Sequence, residues 1–144
     1  MQYHLNEGSF SLPGEEWLDN SMNILRDEAS GITVIISRGA IPENSDFEQE
    51  FHRQWDSMRA QMTKLQQSEF VRVSVGKNQH IRGVQVSSQF ERNGQQLHQH
   101  QLAIQVADKP VLMVFTFSAL RPFNAEDEVR WEALKSSIGT GQDA

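Results

Sequence analysis

One dipeptide, Asn93-Gly94, constrains this chain more than any other feature. It separates two segments of alternating apolar and polar residues. A two-residue hairpin loop of this kind needs positive φ at both positions, which Asn and Gly tolerate best. Counting outward from that loop pairs Phe90 with Leu97, Ser88 with Gln99, Val86 with Gln101 and Val84 with Ala103. These eight residues share one face, and the other face carries Gln85, Ser87 and Gln89 across from Leu102, His100 and His98. The first face is oddly mixed. Under a helix of its own chain it would be expected to be more uniformly apolar, because an unpaired buried amide costs about 1 to 3 kcal/mol. Open to water, it would be expected to be more polar. Two readings stand: an ordinary core edge with snorkelling glutamines, or a surface that receives an apolar partner with some accessible polar groups, such as a small-residue-rich transmembrane helix. In either, the Gln101 amide is expected to be solvated in the free protein.

The rest of the chain fits around the hairpin. Ser9 to Leu12, Ser21 to Arg26 and Ile32 to Arg38 read as strands between turn residues. Ser45 and Glu48 are spaced as a capping box, opening a helix expected to run to about Gln66. Its stripe is Phe47, Phe51, Trp55, Met58, Met62 and Leu65, at steps of three and four. From Phe70 strand patterning returns. Val111 to Ser118 is apolar on both faces and is expected to be a central strand. Asn124 caps a closing helix that ends by Gly139, leaving 139–144 as a flexible tail. The predicted fold is α+β: a single domain over 1–144, with an antiparallel, curved sheet of six to seven strands and two packed helices.

Composition narrows function mainly by exclusion. At 144 residues roughly two-thirds of the unfolded surface can be buried, so a core needs no staples. There are 13 Lys+Arg against 19 Asp+Glu and no Cys. A net charge of -6 argues against binding nucleic-acid phosphates, and disulfides and thiolate zinc sites are excluded. His98 and His100 have metal-ligand spacing, but no pattern supplies a third ligand, so no metal or other cofactor is expected. The acidic groups at Glu15-Glu16 and Glu126 to Glu128 suit a turn and a helix start. No nucleophile elbow, phosphate loop or dinucleotide fingerprint occurs, and an enzyme is not expected. The N-terminus lacks the pattern of a secretory signal, and the longest apolar run, Val111 to Phe115, is far short of a membrane span. A cytoplasmic location is the expectation.

A family resemblance gives a sharper functional reading. The segment Trp17-Leu18-Asp19-Asn20-Ser21-Met22-Asn23-Ile24, then Val34-Ile35-Ile36-Ser37-Arg38, the glutamine-flanked helix and the Gln-rich hairpin together resemble the Eag family. These are effector-associated adaptor chaperones of bacterial type VI secretion systems, in a superfamily with DcrB-like and Mog1/PsbP-like domains. The resemblance extends from Tyr3 to about Ile138. It implies a homodimer that binds the N-terminal transmembrane segments of PAAR- or Rhs-type effectors and shields them before loading on the secretion spike, with neither nucleic-acid binding nor insertion into the membrane. Carried over by position, the apolar contacts would be Met22, Ile24, Ile35, Met58 and Met62, and the polar ones Ser37, Gln54 and Gln101. Met22 and Met62 stand where relatives have branched aliphatics. A small-molecule or lipid carrier using the same sheet face is the alternative, and a hydrolase with an unpatterned site a third.

Overall fold

The computed structural model describes residues 1–17 and 19–139; Leu18 of the motif above and residues 140–144 of the expected tail lie outside them. The hairpin forms in the register counted from its loop. Strands β7 (Ile81–Arg92) and β8 (Gln95–Gln105) pair Phe90 with Leu97 and Val86 with Gln101, and Asn93 and Gly94 have φ of 53° and 80°. Strand β9 (Val111–Ala119) is indeed central, between β8 and β4 (Ile32–Ala40), and β3 (Met22–Asp27) pairs with β4 to form one edge. At the other edge two short strands share the outside of β7: β5 (Thr63–Gln67) lies against Ser88 to Glu91 and β6 (Val71–Val75) against Ile81 to Gln85. The result is an antiparallel seven-stranded sheet with two helices, α1 (Phe47–Arg59) and α2 (Ala125–Ser137), an open α+β fold as expected. A segment not anticipated as a strand, β1 (Gln2–Leu5), pairs with β2 (Gly8–Ser11) in a separate two-stranded hairpin. Among the described residues no helix is long and apolar enough to cross a membrane.

Each sheet face carries one helix. On one, Trp131 of α2 and Ile138 just beyond it pack with Leu102, Ile104, Phe117, Ala119, Ile32 and Val75. On the other, Phe51 of α1 packs with Val84, Val86, Ala103, Leu112 and Val114, while Trp55 meets Phe90 and Met62. The reciprocal capping box that starts α2 joins Asn124 and Asp127.

Two expectations for α1 are corrected. Its cap is Asp46, whose Oδ1 accepts from the Gln49 N–H at 2.9 Å, so the Ser45/Glu48 box does not form. It also ends at Arg59 and not at Gln66. The Gln61 and Met62 N–H groups donate back only three residues, to Met58 and Arg59 carbonyls, tightening the last turn. The sheet claims the next stretch of chain: Thr63 Oγ1 donates to the Glu91 carbonyl at 2.9 Å, Gln89 Nε2 to Gln66 Oε1 at 2.7 Å and Trp55 Nε1 to Gln67 Oε1 at 3.1 Å. Pairing 63–67 with β7 satisfies an edge that a longer helix would have left bare, so tertiary hydrogen bonding overrides the helical spacing of Met62 and Leu65.

Candidate partner-binding face

The α1 side of the sheet is built from cross-strand rows. Ile24, Ile35, Thr116, Gln101 and Val86 are successive partners across β3, β4, β9, β8 and β7. Met22, Ser37, Val114, Ala103 and Val84 form the next row, and Arg26, Thr33, Ser118, Gln99 and Ser88 the row on the other side. Directly opposite residues share a face, so the register alone brings Met22, Ile24, Ile35, Ser37 and Gln101 together. Exposure rises steadily along the central row: Val86 is 1 % exposed, Gln101 4 %, Ile35 and Thr116 are half-buried, and Ile24 is 65 % exposed. Under α1 the face is core; beyond it, toward β3, it is an open shelf with an apolar rim of Ile24 and Met22.

Gln54 of α1 stands at the inner side of the shelf. Gln54 Nε2 donates to Glu50 Oε2 at 3.2 Å and lies 3.2 Å from where a Cβ on Gly39 would be, so the amide sits over β4 just past Ser37. Glu50 is buried, and its carboxyl is held below the ordinary range, chiefly by the Arg53 guanidinium against the opposing effect of burial, with Gln54 helping. Met58 is 38 % exposed, whereas Met62 is buried with Trp55 and Phe90. Of the eight residues assigned by position, Met22, Ile24, Ile35, Ser37 and Gln101 share this sheet face, Gln54 sits over it, Met58 is an exposed position of α1, and Met62 lies in the core behind α1.

The expectation that the Gln101 amide is solvated in the free protein is overturned, because the side chain is buried within the fold. Its Nε2 donates to Thr116 Oγ1 at 3.0 Å, but its Oε1 has no hydrogen-bond partner. Two neighbours share that condition: Gln99 Nε2 and Ser88 Oγ are also buried without a partner. Gln99 faces Ser88 across β7 and β8 and lies two residues from Gln101. Three orphaned polar atoms therefore cluster in the covered floor, on β7 and β8. Each costs about 1 to 3 kcal/mol of lost hydration. Ser88 and Gln99 were on the mixed face in the hairpin count but outside the assigned polar set; their burial, invisible in sequence, is what distinguishes them.

Among the described residues the opposite face shows no such defects. His100 lies between Ser87 Oγ (2.7 Å from Nδ1) and Glu128 Oε1 (2.8 Å from Nε2) and stacks on Phe123. Lys135 Nζ donates to Gln85 Oε1 at 2.9 Å. His98 and His100 do lie on one face, and among the described residues no group of three or more His, Asp or Glu could hold a metal ion. What this face offers is a packed apolar core under α2 with a satisfied polar seam beside it.

The architecture has known counterparts. A crystal structure of a Pseudomonas aeruginosa protein of unknown function, described as a suggested regulator, superposes with a TM-score of 0.72 over 96 % of both chains at 22 % identity, a likeness of fold. No curated protein matches in sequence. The family model described as DcrB matches residues 7–137, nearly all the elements above. The chain belongs to the DcrB family.

Proposed function

We propose that this protein is an adaptor chaperone of the Eag type: a cytoplasmic, non-catalytic binding protein that holds the N-terminal transmembrane segment of a PAAR- or Rhs-type effector against the α1 face of its sheet. The observation that carries this reading is the continuity of the central row, where the exposed Ile24 and half-buried Ile35 lead through Thr116 to the orphaned Oε1 of Gln101. An apolar helix laid on the shelf would cover the rim, and with a displacement of α1 over the floor, the Ser and Thr hydroxyls and close-packed backbone of a small-residue transmembrane helix would bond the polar atoms buried there. The apolar rim and the unmet polar atoms thus call for the same kind of partner. In this reading the working unit is a dimer, so that two shelves shield one effector N-terminus.

Co-expression with an effector's N-terminal fragment tests it. Ile24→Asp, at a position exposed in the single chain, should leave the protein folded and abolish capture, because the carboxylate would have to be desolvated against an apolar helix. Ile35→Asp should do the same with some loss of stability. Full capture by a folded Ile24→Asp protein overturns the assignment of this face. A stoichiometric lipid in native mass spectrometry, with no fragment bound, would establish the carrier instead.

A further inference from the structure

The two edges of the seven-stranded sheet are built differently. An unpaired edge offers backbone N–H and C=O groups to any strand that approaches, and proteins blunt such edges with short strands, bulges, lysines or irregular backbone. The β5/β6 edge has all of these. It is split into two five-residue strands, β5 carries a register shift between Thr63 and Gln66, and Lys64 sits in that shift with φ of 53°. The β3 edge is far less protected, with charges only at its end, Arg26 and Asp27. Its six residues pair with β4 in unbroken register, all six are exposed, and Met22, Ile24 and Leu25 are 59 %, 65 % and 57 % exposed. It contains no Pro or Lys.

We infer that the outer edge of β3 pairs antiparallel with β3 of a second copy, about a two-fold axis at Ile24, to make one continuous sheet of two protomers. Self-complementarity identifies the occupant. A two-fold axis perpendicular to the sheet keeps the α1 faces on the same side and places residues of like parity opposite one another. With the axis at Ile24, Ile24 meets its own copy, Met22 meets Arg26, Asn23 meets Leu25 and Ser21 meets Asp27, so no like charges oppose. Shifting the axis to Asn23 would set Asp19 against Asp27. Six paired residues fall short of the roughly 800 Å² per partner of a stable dimer. The consequence for function is geometric: the two apolar rims, Met22 and Ile24 of each copy, merge into one trough. This deepens the dimer assumed in the functional reading above.

The absence of native Cys makes the test clean. Ile24→Cys introduces a single thiol at the axis, where directly opposite strand residues lie within disulfide reach. Mild oxidation of the purified variant at about 10 μM should convert most of it to a disulfide dimer, the spacing of opposed strand residues being what permits the bond. Asn23→Cys and Leu25→Cys should each fail alone and cross-link when mixed and reannealed, and Val129→Cys, 68 % exposed on α2, should stay uncrosslinked. Light scattering of the unmodified chain is run alongside. A dimer that does not cross-link through the Ile24→Cys thiol overturns the edge pairing but leaves a dimeric chaperone standing. A monomer, or cross-linking of the Ile24→Cys variant only to a co-expressed effector fragment bearing its own thiol, overturns the pairing outright. Self-cross-linking of the Ile24→Cys variant with no capture of any effector fragment by the unmodified protein would uphold the edge and sink the chaperone reading.

Discussion

Replacing the two buried glutamines of the floor by methionine, Gln99→Met and Gln101→Met, should make the free protein more stable and a worse binder. Methionine nearly matches glutamine in length and volume, so neither change leaves a cavity or forces a clash. At Gln101 the substitution removes the orphaned Oε1, relieving about 1 to 3 kcal/mol, and loses the hydrogen bond to Thr116, worth about 0.5 to 1.5 kcal/mol. Thr116 is half-buried, so water can replace that donor. The net is about 1 kcal/mol in favour of the variant. Gln99→Met removes an orphaned Nε2 and should gain about as much or slightly more. The two positions lie two residues apart, so the gains need not add fully, and about 2 kcal/mol is expected for the double variant. For a chain of this length that corresponds to a rise of roughly 6 °C in melting temperature. The same variant loses the groups that would bond a bound helix, each worth about 0.6 to 2 kcal/mol in a dry site, or about three- to thirty-fold in affinity per bond. Thermal and urea unfolding, with parallel titration of a detergent-solubilised effector fragment, reads both quantities. If the double variant is less stable than the parent by about 1 kcal/mol or more, the orphaned atoms are satisfied by internal water in solution and the floor holds no unmet polar groups. If it is more stable but binds as tightly, those groups play no part in capture.

Other consequences concern the rest of the fold. Asp127 is fully buried, and the Arg121 guanidinium, outweighing the effect of burial and assisted by the Asn124 N–H and Arg130, lowers its pKa to about 2. A depressed carboxylate stabilises the fold above its unfolded pKa near 3.8 and loses that contribution as pH falls toward 2. Because both arginines are partly solvated, the contribution is of the order of 1 kcal/mol. Asp127→Asn should therefore destabilise at pH 7 and flatten the acid limb of a stability profile between about pH 4 and 2, measured by urea unfolding. Gly76 has φ of +90°, its N–H donates to the Lys135 carbonyl, and an added Cβ would fall 3.1 Å from the Ile138 carbonyl oxygen and 2.9 Å from Ile81. Gly76→Ala should cost about 1 to 3 kcal/mol by unhooking the end of α2, visible as a lower urea midpoint with unchanged slope.

What could be read from the sequence was whatever local chemistry decides. Asn93-Gly94 set the β7/β8 register because its loop length leaves no freedom in the count, and that count placed Gln99, Gln101 and Ser88 on one face. Asn124 marked α2 because a cap is satisfied within four residues. The end of α1 was not legible, since Met62 and Leu65 serve a helical stripe and a turn-plus-strand equally well and the deciding hydrogen bonds come from Glu91 and Gln89, more than twenty residues away. Neither was the burial of Gln101, because no short loop ties α1 to the hairpin beneath it. The row joining Gln101 to Ile24 runs through β9 and β4; β9 follows β8 after a short turn, but β4 pairs with β9 across the long intervening chain, with no local signal for that register; the assignment of Ile24 and Ile35 came from resemblance, and the geometry that links them to Gln101 came from the sheet.

The two faces of this sheet, made by the same strands, supply the comparison on which the functional argument rests. Ser87 and Ser88 are neighbours pointing to opposite sides: Ser87 Oγ is bonded to His100, Ser88 Oγ to nothing. Under α2 each buried charge among the described residues has its complement, Asp127 with Arg121 and Arg130, Lys135 with Gln85 and Glu132. The fold can thus satisfy buried polar groups when a face is closed for good. On the α1 side it leaves three unsatisfied, and on the same face, at the β3 edge, an apolar rim open to water. Either defect alone has an ordinary explanation: scattered exposed apolar residues are common, and an isolated orphan can hide a water. One cross-strand row, from Gln101 through Thr116 and Ile35 to Ile24, links the two, and the arrival of an apolar segment bearing small polar groups would relieve both. A surface that is costly in the free protein and satisfied on binding is what a chaperone for membrane-bound cargo requires.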